Sequence, residues 1–333
     1  MKKKCCLFFI VVCLFLSGVQ VKAQKQKNDD ANKDGVYITG DTSKLGYKPT
    51  VEMEILVNKA AQETLKKFAD KGFKEENLSI TLIDLSSPNI NRGASFRGDE
   101  KIYPASVSKM FYMVAVHRWL EDGKLKMTDE LSRAMREMIV DSWNEPTQYI
   151  VDVLTGTTSG PELTPAEMTK WAYKRNAVNR YFASLGYSNI NINQKTYCED
   201  AYGREQVFRD KGKNRNMLTT NAVARLLSEI VLGKAVTKVR SIQMMELMKR
   251  DYENKGDADD QAHGFTAIGL KPGLKLWSKA GWTSTTRHDA AYIEMQNGSK
   301  FVLVTFTTNF AAEREIIPTV ARIVVDEIGK INY

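Results

Sequence analysis

The chain carries its strand-forming sequence at its two ends and helix-forming sequence between them. Near the start, Ser79-Ile80-Thr81-Leu82-Ile83-Asp84 alternates apolar and polar residues, the period of a half-buried strand. Ala94 to Tyr103 is a second, weaker strand segment. Near the end, Leu274 to Thr283, Asp289 to Met295 and Phe301 to Thr307 have strand character. Asn297-Gly298, between the last two, is the strongest hairpin signal in the chain, because both residues tolerate the positive φ of a tight turn. Strand groups this far apart share one antiparallel sheet only if the sequence between them is an insertion. The expected class is therefore α+β: an antiparallel sheet flanked by N- and C-terminal helices, with an inserted all-helical subdomain. Residues 49–104 and 265–333 are expected to form the α/β lobe and 105–264 the helical lobe, with the active site at their junction.

Helical patterning supports this order. A helix is expected from about Thr50, with Val51, Ile55, Ala60 and Leu65 on one face. In the middle, Ser106 to Leu120 ends at Gly123. Leu131, Met135, Met138 and Ile139 mark a second helix, and Tyr149 to Leu154 a third. Thr164-Pro165-Ala166-Glu167 is a capping box with proline at the first helical position, opening a helix through Trp171 and Tyr173. Thr220 to Leu232 stops at Gly233, and a final helix runs from about Ile317 to Ile328.

The first residues bear on the compartment. Lys2, Lys3 and Lys4 precede an uncharged apolar run from Cys5 to Leu16, and Val21-Lys22-Ala23 fits a small-residue cleavage rule. This is the pattern of a secretory signal peptide over residues 1–23; the run is short for a membrane anchor. A polar leader is expected over 24–48. The expected location is across the inner membrane, in the periplasm. Removing the four lysines of residues 1–23 lowers the net charge from +8 to +4. Basic and aromatic residues do not cluster, so no nucleic-acid partner is expected. Of the four cysteines only Cys198 lies beyond the signal, so no internal disulfide is available and the core must hold the fold. No cofactor or metal is expected, and the chain is expected to be a monomer.

Three short motifs carry chemistry. Ser106-Val107-Ser108-Lys109 is the only Ser-x-x-Lys in the chain. A serine hydroxyl needs a base beside it, and three residues apart on a helix places Ser106 and Lys109 on one face. A helix start adds N–H groups and the positive end of the dipole, which favour a developing anion. Lys109 serves as base only where desolvation or a neighbouring cation loosens its proton. Ser142-Trp143-Asn144 follows: its hydroxyl is placed to relay a proton, and its amide to hold the substrate or Lys109. Lys279-Ala280-Gly281 lies on a late strand. There Lys279 supplies positive charge, Gly281 admits a substrate backbone, and the Trp282 N–H faces an oxyanion.

In this order the motifs resemble those of the penicillin-recognising serine hydrolases, most of all the class A β-lactamases. The likeness runs from about residue 50 to 330. It implies a β-lactamase/transpeptidase-like fold and a Ser106 acyl-enzyme. It also implies an oxyanion hole at the N–H groups of Ser106 and Trp282, and proton traffic through Lys109, Ser142 and Lys279. Arg287 is implied as a partner for a substrate carboxylate, and Glu199 as the base that activates water. Expected substrates are a small-molecule β-lactam or a peptidoglycan stem peptide. The chain departs from the pattern at Trp143, where an aspartate is usual. It departs again at Ala280, which removes a hydroxyl that would bind the substrate carboxylate, and at Gly203, where an asparagine follows the glutamate by four residues.

Other classes fit less well. No Gly-x-Ser-x-Gly occurs, and His117, His263 and His288 are the only histidines; His288 beside Asp289 reads as part of a strand edge. No His-Glu-x-x-His occurs, which disfavours a zinc hydrolase. Within the same fold, a peptidoglycan DD-peptidase or an esterase is the alternative. From another class, a non-catalytic wall-binding protein with a degenerate site is the alternative.

Overall fold

A computed structural model describes residues 46–197, 201–254, 256 and 260–331. The expected signal peptide and most of the leader lie outside the described residues, as do Cys198, Glu199 and Asp200. In chain order the elements are β1 (Lys48–Pro49), α1 (Val51–Lys67), β2 (Leu78–Asp84), β3 (Arg92–Phe96), α2 (Lys109–Glu121), α3 (Asp129–Arg136) and α4 (Asn144–Thr155). They continue with α5 (Pro165–Arg175), α6 (Ala177–Ser184), α7 (Gly203–Arg209), α8 (Thr220–Val231), α9 (Lys238–Met248) and β4 (Lys249–Arg250). The chain closes with β5 (Lys275–Trp282), β6 (Thr286–Glu294), β7 (Lys300–Thr308) and α10 (Ile316–Ile328).

The strands form one sheet in the order β1-β3-β2-β7-β6-β5-β4. Every pairing is antiparallel except the two-residue contact of β1 with β3. The two ends of the chain meet where β2 pairs β7, with Ile80 opposite Thr305 and Leu82 opposite Leu303. The β6–β7 hairpin turns at Asn297-Gly298 as expected, with Gly298 at φ 89° and the Met295 N–H donating to Ser299 O.

Alternation along β7 sorts the core. Val302, Val304 and Phe306 face the helices that follow β3, whereas Phe301 and Leu303 face α1 and α10. In α2, Met110 to Val116 are all fully buried, so this helix is apolar all round and runs through the middle of its layer. The Thr164 capping box forms as expected, with the Thr164 hydroxyl accepting from the Glu167 N–H. No helix among the described residues is long and apolar enough to cross a membrane.

Three expectations change. The second strand ends at Phe96, because Arg97 turns the chain at φ 52°. The helix expected through Ile139 stops at Arg136 and passes into a wide π turn, Glu137–Asp141. His288 lies on β6, between β5 and β7, and is fully buried rather than at a sheet edge.

Candidate active site

Ser106 lies in a tight helical turn, Ala105–Ser108, that runs directly into α2. Ala105 holds φ 45°, a left-handed conformation that costs a residue with a Cβ about 1–2 kcal/mol. Such strain is held by the surrounding packing. The two serines of the motif are placed differently. Ser108 is fully buried and donates to Ala105 O at 2.8 Å, whereas Ser106 is half-buried. Only Ser106 is reachable from solvent.

Lys109, one helical turn on, is buried. Its Nζ donates to Ser142 O at 2.6 Å and Asn144 Oδ1 at 2.9 Å, and lies 3.5 Å from Ser142 Oγ. The π turn after α3 sets this up. It ends at Ser142 in the left-handed region, φ 61°, which turns both oxygens of that residue toward the lysines. Asn144 opens α4, and its amide also reaches Tyr197 O at 3.4 Å. Trp143, between them, is 57 % exposed.

Lys279 arrives from β5 on the other side. Its Nζ donates to Ser142 Oγ at 2.8 Å, Gln261 Oε1 at 2.6 Å and Ala280 O at 2.7 Å. Burial, then the nearby Lys109 and Arg250 cations, hold its pKa well below the usual lysine value, against the pull of Asp289. The Ser-x-x-Lys, Ser-x-Asn and Lys-x-Gly motifs thus converge on one hydroxyl, Ser142 Oγ.

Gly281 is required by close approach. A Cβ there would stand 2.7 Å from Pro104 O, 2.8 Å from Ser106 N and 2.9 Å from Val107 N. The backbone that comes close is the chain's own serine turn, not the substrate backbone expected from sequence. Thr283 N donates to Thr286 O across the β5–β6 turn. Amides alternate direction along a strand, so the Trp282 N–H points away from β6. On β6, opposite Gly281, the His288 ring bridges β7 to the chain two residues before that turn: Thr307 N donates to Nδ1 at 3.2 Å, and Nε2–H donates to Tyr103 O at 2.9 Å.

Arg287 is not a surface charge. It is 4 % exposed, with its guanidinium carbon 3.8 Å from the centre of the Phe265 ring. Of the acids between Asn193 and Glu205, Glu199 and Asp200 lie outside the described residues. Glu205 is engaged elsewhere. Arg175 grips it with two bonds, Nη1 to Oε2 at 2.9 Å and Nη2 to Oε1 at 2.7 Å, both residues fully buried. Burial raises the Glu205 pKa, but Arg175 and Lys195 outweigh it, and the carboxyl sits below its usual range.

Two residues central to this geometry carried no sequence signal. Gln261 Nε2 donates to Ile139 O at 3.1 Å and Val140 O at 2.8 Å, while its Oε1 accepts from Lys279 Nζ and, at 3.0 Å, from Ala280 N. Arg250 spans the same gap, to Ile139 O at 3.0 Å and Ser278 O at 2.9 Å; burial lowers its pKa to about 10. Both tie the turn that carries Ser142 to the strand that carries Lys279.

A family model described as the beta-lactamase enzyme family matches residues 60–328. Among solved structures, the chain is similar to the beta-lactamase of Sphaerobacter thermophilus, at 17 % identity and TM-score 0.60, over 83 % of this chain and 99 % of that one. A PBP-A variant, described as an acyl-enzyme complex with penicillin G, matches at 17 % identity and TM-score 0.58, over 85 % and 98 %. A last common ancestor of Gram-negative class A beta-lactamases matches at 18 % and TM-score 0.59, over 81 % and 99 %. No curated protein matches. At these identities the solved structures establish a shared fold.

Proposed function

The chain belongs to the beta-lactamase enzyme family, and on that premise we propose that it is an exported serine acyl-hydrolase working through an acyl-enzyme at Ser106, with β-lactam amide hydrolysis as its reaction. The observation that carries the reading is that Lys109, one helical turn from Ser106, and Lys279, from β5, both reach Ser142 Oγ.

Ser106 Oγ attacks the carbonyl carbon and gives up its proton toward Lys109. The N–H groups of Ser106 and Trp282 receive the oxyanion. The C–N bond breaks as the proton passes through Ser142 to the leaving nitrogen, leaving an ester on Ser106. Water then hydrolyses the ester and restores the serine. Burial and the neighbouring cations loosen the Lys279 proton, so Lys279 exchanges it with Ser142 readily. Asn144 holds Lys109 in place. Glu199 is the proposed base for the water step. The export proposal rests on residues 1–23.

A peptidoglycan DD-peptidase or esterase on the same fold is the second reading. It shares the acylation step and differs in how fast water clears the ester. The commitment of Glu205 to Arg175 favours it, since that acid, at the start of α7, is unavailable as a base. Incubation with benzylpenicillin or its methyl ester, followed by peptide mass analysis, tests the proposal. An adduct at Ser106, absent in Ser106→Ala, supports it. Rapid release of that adduct supports a β-lactamase, a persistent adduct the peptidase, and no adduct with either probe a binding protein.

A further inference from the structure

The resemblance to class A β-lactamases assigns three groups to a substrate carboxylate: the charge of Lys279, a hydroxyl at position 280 and the guanidinium of Arg287. None is available in that role. An ammonium has three donors, and those of Lys279 meet Ser142 Oγ, Gln261 Oε1 and Ala280 O, all within 2.8 Å. Position 280 is alanine, fully buried in one apolar cluster with Phe265 and Ile317. Arg287 is covered by Phe265. Phe265 also packs on Trp282, with ring centres 5.5 Å apart. Beyond Trp282, the hydroxyls of Thr283 and Thr286 are turned on each other at 3.0 Å.

Phe265 itself holds φ 57°, a conformation that favours glycine. We infer that Phe265 closes the carboxylate subsite, so that the Ser106 site takes acyl donors that are uncharged beside the scissile carbonyl (neutral lactams or esters) and disfavours those that carry a carboxylate. A carboxylate set against Ala280 and Phe265 loses hydration and gains no hydrogen bond in return, whereas a neutral group at that place loses little. The inference rests on the acyl-hydrolase reading above.

The experiment compares benzylpenicillin, its methyl ester and 4-nitrophenyl acetate on the purified chain, following adduct growth by intact mass and locating it by peptide mass. The methyl ester is expected to acylate Ser106 at least about tenfold faster than the free acid, the scale of one charge-assisted hydrogen bond. Phe265→Ala, alone and with Ala280→Thr, is expected to move the ester-to-acid ratio at least about tenfold toward the acid. If Phe265→Ala does not fold, the wild-type ratio alone decides. Equal rates, or a faster free acid, overturn the inference and leave the hydrolase standing. An unchanged ratio in a folded Phe265→Ala overturns the part given to Phe265. No adduct at Ser106 with any of the three probes overturns the hydrolase and the selectivity together.

Discussion

Gln261 Oε1 accepts from Lys279 Nζ at 2.6 Å while the same amide donates to two carbonyls of the turn that leads to Ser142. Together with Arg250, this side chain ties the strand that carries Lys279 to the turn that carries Ser142. Under the proposed mechanism, Gln261 acts through Lys279 as a positioning residue.

Two variants separate that role from simple packing. Gln261→Ala is expected to slow acylation of Ser106 about tenfold or more, the scale of a lost hydrogen bond to a charged group. Gln261→Glu keeps the shape and places a carboxylate against Lys279, which favours the protonated amine. The acid limb of the acylation pH profile is then expected to move upward. Labelling rates between about pH 5 and 10, a range that spans a lysine with a lowered pKa, check this; a limb that stays in place removes Gln261 from the proton chemistry.

Ser142 combines backbone strain with a proposed part in proton transfer. Its φ of 61° costs a residue with a Cβ about 1–2 kcal/mol. Ser142→Ala and Ser142→Gly both remove the hydroxyl, and both are expected to slow acylation by about 10²-fold or more. Only glycine relieves the backbone. Ser142→Gly is therefore expected to be about 1 kcal/mol more stable than Ser142→Ala, read by denaturant unfolding.

Gly281→Ala adds one methyl group where three backbone atoms stand within 2.9 Å. Backbone cannot step aside as a flexible side chain does. The expected outcome is a displaced Ser106 turn, with labelling reduced by about 10²-fold and a lowered thermal midpoint. Normal labelling would mean that β5 and the serine turn separate easily.

Acid is expected to unfold the protein through two histidines. Burial, then the nearby Arg240 charge, lowers the His117 pKa to about 4. Burial lowers that of His288 to about 4, against its hydrogen bonds to the backbone of Tyr103 and Arg287. In the unfolded chain both take up a proton near pH 6.5. Between about pH 6.5 and 4 the unfolded state binds more protons, so stability is full above that window and is lost as pH falls through it. Each histidine contributes up to about 3 kcal/mol. Protonating His288 at Nδ1 also removes the acceptor for Thr307 N. Urea unfolding at pH 7 and pH 4.5 measures the loss, and His117→Leu is expected to shrink it.

The strands and the site motifs were legible because each rests on neighbours in sequence. Alternation marked β2, Asn297-Gly298 marked the β6–β7 turn, and the capping box marked α5. α6 has only eight residues, too few to establish a helical period. α9 exposes Val239 and Ile242, so its apolar residues do not trace a buried stripe. The π turn before Ser142 had no signature either, since it is a local change of winding within a helical pattern.

Ser106, Lys109, Ser142, Asn144, Lys279 and Gly281 were singled out from three motifs whose order resembles that of a known family, and the structure brings Lys109, Ser142, Asn144 and Lys279 together, while Gly281 meets the chain's own serine turn in place of a substrate. Gln261 and Phe265 were not singled out, because each acts on residues brought to it by folding: Gln261 reaches Ile139 from 122 positions away. The tertiary structure likewise decided which donors of Lys279 remain for a substrate, that Arg287 lies beneath an aromatic ring, and that Glu205 belongs to Arg175. Residue types set which charges and hydrogen bonds are available. Burial and neighbours, which exist only in the folded chain, set how those charges are held and which bonds are already made.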